Sequence, residues 1–86
     1  FMNLKQMEYF VAIVNEGNIS AAAKSLHISQ PPLSAQMKLL EDELGVVLFE
    51  RGSRSIFLTE AGKVFYEKAL HILHLFLMNC SRWVRD

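Results

Sequence analysis

The stretch ISQPPLSAQMKLLEDELG, Ile28–Gly45, decides the fold. Within it Leu33, Met37, Leu40 and Leu44 recur at helical spacing and make one apolar face, and Gly45 is a natural stop. A helix is therefore expected from about Pro31 to Leu44. It opens on two prolines, Pro31 and Pro32, which have no backbone N–H to donate. In a first turn this costs little, because the N–H groups there have no partner inside the helix and the fixed φ of proline suits a helix start. Proline also disfavours helical geometry in the residue before it, which places Gln30 just outside the helix, held at its tip.

The opposite face of this helix is the first candidate site. At ~100° per residue, Pro31, Ser34, Ala35 and Lys38 fall roughly across from the apolar row. Small and polar groups with one lysine fit a DNA major groove, where proline and alanine can touch a thymine methyl group. The partial positive charge of a helix N-terminus favours phosphate nearby. An ordinary solvated face with capping prolines explains the same pattern, and phase alone leaves both readings open.

Working outward, Leu4–Glu16 reads as a helix with Leu4, Met7, Phe10, Val11 and Val14 on one face and Gly17 as its stop. Ser20 is a good N-cap for a short second helix in which Ala21–Ala23 propagate the turns. Ala22, Ala23 and Leu26 give that helix a closely packing side. After Gly45 the period changes. Val46–Phe49 and Ile56–Leu58 read as two short strands around the basic, turn-rich RGSRS, a hairpin with a charged tip. Thr59 then caps a long helix running to about Val84, with Gly62 in its first turn permitting close backbone approach. Only LHISQ separates the second and third helices. The expected architecture is mainly α: a winged helix-turn-helix, three helices plus a short β-hairpin wing, over residues 1–58, followed by a long dimerisation helix over 59–86.

Composition narrows the functions. The 86 residues allow one small domain, and a hydrophobic fraction of 51% implies that some apolar surface meets a partner. Nine basic and nine acidic residues give a net charge of zero, whereas nucleic-acid binders are usually basic. Distribution matters more than the sum: Gly17–Leu40 contains no acid and carries Lys24, His27 and Lys38, with Arg51 and Arg54 following. The single cysteine, Cys80, excludes an intrachain disulfide and points to a reducing cytoplasm. The longest apolar run, Ala69–Met78, is too short to span a bilayer and holds two histidines. Phe1 precedes Met2, so Met2 reads as the native start and the chain as an excised fragment.

Catalytic and metal sites are not indicated. His71 and His74 lie three residues apart, but no carboxylate or thiol is expected at matching spacing on that face, and they read as interface or solvent histidines. Glu41, Asp42 and Glu43 read as a solvated helix face and Cys80 as a packed residue. No nucleophile–base pair and no phosphate-cradling glycine loop is present, so no enzyme is expected.

The run AAAKSLHISQPPLS.Q...LE.ELG..LF.R, Ala21–Arg51, and LTEAG, Leu58–Gly62, resemble the N-terminal DNA-binding region of bacterial LysR-type transcriptional regulators, with the likeness running from Met2 to Ala69. The resemblance implies a winged helix-turn-helix that reads a pseudo-palindromic operator in double-stranded DNA as a homodimer, with a tetramer as the full-length assembly. It also implies a C-terminal effector-binding domain, absent from this chain, that takes a small-molecule co-inducer; no cofactor is expected in the fragment itself. By the same resemblance Gln30, Pro31, Ser34, Ala35 and Lys38 face bases or adjacent phosphates, Arg51 and Arg54 lie in or beside the wing, and Ser20 and Thr59 add phosphate contacts. Arg51 has the alternative of anchoring the hairpin to Glu50 or a nearby carbonyl. Ala35 departs from the family, which often has arginine there, and Leu39 stands where a polar or basic residue is usual. The last helix carries Phe65, Ala69, Ile72, Leu73, Phe76, Leu77, Cys80 and Trp83 in a stripe broad enough for two partners: the first helix of the same chain and its own copy in a second chain. The alternative function is a protein-interaction module on the same fold with weakened DNA binding.

Overall fold

The computed structural model describes residues 2–50 and 55–84, with side chains in the last helix as far as Met78. Four helices and a two-stranded hairpin follow in the order α1 (Leu4–Glu16), α2 (Ile19–Leu26), α3 (Gln30–Leu44), β1 (Phe49–Glu50), β2 (Phe57–Leu58) and α4 (Glu60–Val84). Arg51 and Arg54, expected at the hairpin tip, lie outside the described residues, as do the Cys80 and Trp83 side chains.

α1 begins in a capping box. The Asn3 side chain accepts from the Gln6 N–H at 2.8 Å, and the Gln6 side chain accepts from the Asn3 N–H at 3.2 Å. It ends at Gly17, whose φ of 85° only glycine adopts without strain. α2 is capped two residues earlier than expected. Asn18, not Ser20, holds the extended cap geometry and accepts from the Ala21 N–H at 2.7 Å. Asparagine caps as well as serine does, and Ile19 joins the core from the first helical position.

The α2–α3 turn is tight. His27 takes φ 60°, and the N–H groups of His27 and Ile28 return to the carbonyls of Lys24 and Ala23. Two such crossing bonds close a helix end and reverse the chain at once. Ser29 then holds the extended position before α3, so Gln30 is the first helical residue rather than the last outside it. The missing proline N–H groups fall among those without intrahelical partners, and this outweighs the bias that proline places on its predecessor.

Phe10, Ile13, Ala22, Ala23, Leu33, Met37, Leu40, Leu48 and Phe49 form the core. The Phe10 ring sits at its centre, 5.3 Å from Phe49 and 5.0 Å edge-on from Phe65 of α4. α4 therefore belongs to this core through its first three turns, where Gly62 and Ala69 are buried. The hairpin is shorter than the apolar runs suggested: Phe49 pairs with Leu58 and Glu50 with Phe57, antiparallel. Val46 and Val47 are exposed loop residues and only Leu48 of that run enters the core beside Phe49. Thr59 caps α4 as expected, its hydroxyl accepting from the Gly62 N–H at 3.0 Å and donating to the Val47 carbonyl at 2.6 Å.

Candidate nucleic-acid interface

α3 turns Leu33, Met37 and Leu40 inward and leaves Gln30, Pro31, Ala35 and Lys38 exposed, with Ser34 half-buried. The Gln30 amide Nε2 donates to the Ser34 hydroxyl at 3.4 Å, one helical turn on. This long bond biases the Gln30 amide without consuming it. Nε2 keeps a second proton, and the carbonyl oxygen can still accept, which is the donor–acceptor pair that adenine's N7 and N6 require. Lys38 lies 3.6 Å from Asp42 across one turn, with both side chains mostly exposed. An exposed pair of this kind is worth little, so Lys38 can exchange Asp42 for a phosphate.

The remaining expected contacts divide. Ser20 is exposed in the first turn of α2. The one hydroxyl proton of Thr59 is given to the Val47 carbonyl, so Thr59 has nothing to donate to a phosphate while it caps α4.

Two functional residues escaped the sequence reading. Glu41 is buried, not on a solvated face. Its Oε2 accepts from the Leu48 and Phe49 N–H groups at 2.7 and 3.3 Å and ties the start of the hairpin to the end of α3. Gln6 is also buried, and its Nε2 donates to the side-chain Oε1 of Gln36 on α3 at 3.2 Å. Glu41→Ala is expected to cost about 2–3 kcal/mol, because two buried N–H groups lose a charged acceptor. Glu41→Gln should recover roughly half of that loss. Chemical denaturation of the three proteins checks the order.

On α4, Ala69, expected at an interface with a second chain, is buried within this one with no exposed surface, while Phe65 is half-buried and packs edge-on against Phe10 of α1. Leu73 is half-buried, and Ile72, Phe76 and Leu77 are exposed. Glu67 does stand four residues before His71, so a carboxylate at helical spacing is present after all. Even so, no group of three metal-ligating side chains forms among the described residues. No helix among them is long and apolar enough to cross a membrane.

Residues 4–63 match the bacterial regulatory helix-turn-helix protein, lysR family. The chain belongs to that family. It is 54% identical over 74 residues to the HTH-type transcriptional regulator ClcR of Pseudomonas putida, covering 86% of this chain and 25% of that protein. Among solved structures, the BenM DBD bound to benA site 1 DNA has a TM-score of 0.94 at 44% identity, covering 98% of this chain and 94% of that one. The CbnR DBD in complex with DNA has a TM-score of 0.90 at 49% identity, covering 98% and 97%. This LysR-family chain thus has the fold of those domains, a winged helix-turn-helix followed by a long helix, and it spans about a quarter of the length of curated relatives such as ClcR.

Proposed function

We propose that this chain is a sequence-specific DNA-binding domain that reads a pseudo-palindromic operator as a homodimer. The observation that carries this is the exposed Gln30–Lys38 face of α3, set on a backbone shared with two domains whose structures contain DNA. Gln30 and Ser34 read base edges, Pro31 and Ala35 supply apolar contact, and Lys38 and Ser20 reach phosphates. Arg51 and Arg54, in or beside the wing by the family resemblance, add contacts to the DNA backbone. Ala35 in place of an arginine lowers the charge of the face, and the local run without acids from Gly17 to Leu40 compensates in part.

The parent regulator is a cytoplasmic bacterial protein. Its further domain binds a small-molecule co-inducer, and its dimers assemble into tetramers. Residues 1–58 act as the reading head and residues 59–86 as the linker that joins two heads.

Selection of bound duplexes from a random DNA pool, followed by a salt titration, tests the proposal. Binding should fall linearly in log–log form, with a slope of about −0.9 per phosphate neutralised. A flat response overturns DNA binding and favours the protein-interaction module, for which the exposed apolar surface of α4 would be the working face.

Gln30→Ala is expected to relax preference at one base pair per half-site, a loss of roughly 1–3 kcal/mol of discrimination, with non-specific binding nearly unchanged. A uniform loss on every sequence would make Gln30 a phosphate or capping residue instead. Competition binding against single-base operator variants separates the two.

A further inference from the structure

α3 is held against the rest of the chain mainly by Leu33, Met37 and Leu40, and contacts of that kind are non-directional. They fix which face of the helix is buried, but leave small rotations about its axis to be set by directional bonds. Among the described residues, directional bonds from its side chains reach the rest of the fold at two points that bear on its placement. Near the C-terminal end, Glu41 grips the hairpin. In the middle, Gln36 meets Gln6.

The second of these has a polarity that the backbone dictates. The Asn3 N–H can only donate, so the Gln6 oxygen must accept from it. The Gln6 NH₂ group is therefore turned toward α3 and donates to the Gln36 oxygen at 3.2 Å. A relay runs from the first turn of α1 through a buried amide to the helix that carries the reading face. The capping box alone does not need it, since glutamate at this position closes the box equally well. Nor does packing need it, because burying an amide costs free energy that an apolar side chain of the same length avoids.

We propose that Gln6 and Gln36 are positioning residues for sequence discrimination: their bond sets the rotation of α3, and hence where Gln30 and Ser34 meet base edges. This rests on the DNA-binding function proposed above. The pair acts on specificity rather than on bulk affinity, because phosphate contacts tolerate small displacements and bidentate base contacts do not.

The test uses the operator selected by the wild-type chain and a scrambled duplex of equal length. In the Gln6→Met, Gln36→Met double variant the melting temperature should fall by no more than in Gln6→Met alone, which already removes the Gln6 half of the capping box. Scrambled-duplex affinity and salt slope should be unchanged, and the operator-to-scramble ratio should fall roughly 2- to 30-fold. Gln36→Glu, which still offers Gln6 an acceptor, should hold the ratio at the wild-type value even if the added charge weakens all duplexes equally. Gln36→Ala, at a half-exposed site, should lower the ratio and keeps the test open if the double variant does not fold. An unchanged ratio in a folded variant that lacks the bond overturns the proposal, as does a loss of stability and of all affinities together at constant ratio. If the wild-type chain itself shows no salt-dependent binding, the DNA-binding function fails and the positioning role falls with it.

Discussion

Gly62→Ala is expected to destabilise the domain by about 3 kcal/mol or more, against a total of roughly 4–13 kcal/mol for a chain of this length. A Cβ at residue 62 would stand 2.2 Å from the Leu48 carbonyl oxygen and 3.1 Å from Leu58 Cδ2. The oxygen cannot retreat cheaply. It accepts from the Thr59 N–H at 3.1 Å, while the Leu48 N–H is held by Glu41 at 2.7 Å. Relief would have to separate α4 from the base of the hairpin, so the wing and the linker helix would move together. Gly17→Ala is the control. Its φ of 85° is strained for alanine, but nothing lies within 4 Å of the added carbon, and the cost should be about 1–2 kcal/mol. Urea denaturation of both variants checks the ranking. Equal losses would mean that the contact between Leu48 and Gly62 is slack.

Periodicity carried most of the fold. The apolar row of α3, the stops at Gly17 and Gly45, the Thr59 cap and the close approach at Gly62 all follow from local rules and are present. The α1 row holds in part: Met7 and Phe10 are buried, Leu4, Val11 and Val14 are half-buried, and Ile13, outside the expected row, is fully buried. Three of the misplacements share a cause: they depend on what a residue meets across the fold. Val46 and Val47 have strand propensity, yet β1 starts only at Phe49, because Leu48 already faces the core and its N–H is taken by Glu41. Glu41 looks like its neighbours Asp42 and Glu43 in sequence, and only the returning chain shows which of the three is buried. Gln6 was hidden in the same way, since its partner lies 30 residues on. Asn18 was legible, because asparagine ahead of an alanine run is a cap signal as strong as Ser20. The DNA-facing residues could be placed on a face by phase alone, but phase cannot tell a reading surface from a solvated one.

Phe76→Asp is expected to yield a folded monomer that has lost about 10²- to 10⁴-fold in operator affinity, the advantage of binding two linked half-sites over one. The fold should survive because Phe76, like Ile72 and Leu77, is exposed and lies beyond Ala69, the last buried α4 residue among the described side chains. α4 spends its first three turns on Phe10 and its neighbours, and from Leu70 to Met78 it displays leucines, isoleucine, phenylalanine and methionine to solvent. An isolated helix that is apolar over most of its circumference needs cover. A second copy meeting it about a two-fold axis would provide that cover and set two α3 helices on one side of the duplex. Sedimentation at tens of micromolar, where dimerisation is worth only about −6 kcal/mol, decides the first half: the wild-type chain should run as a dimer and Phe76→Asp as a monomer, with equal melting temperatures when both are compared at concentrations low enough to dissociate the wild type. Binding to an operator and to an isolated half-site decides the second. Phe76→Asp should bind the half-site as the wild type does and lose only the full operator's excess. A wild-type chain that sediments as a monomer would leave α4 insufficient for dimerisation, and a variant that keeps full operator affinity would place the pairing surface elsewhere.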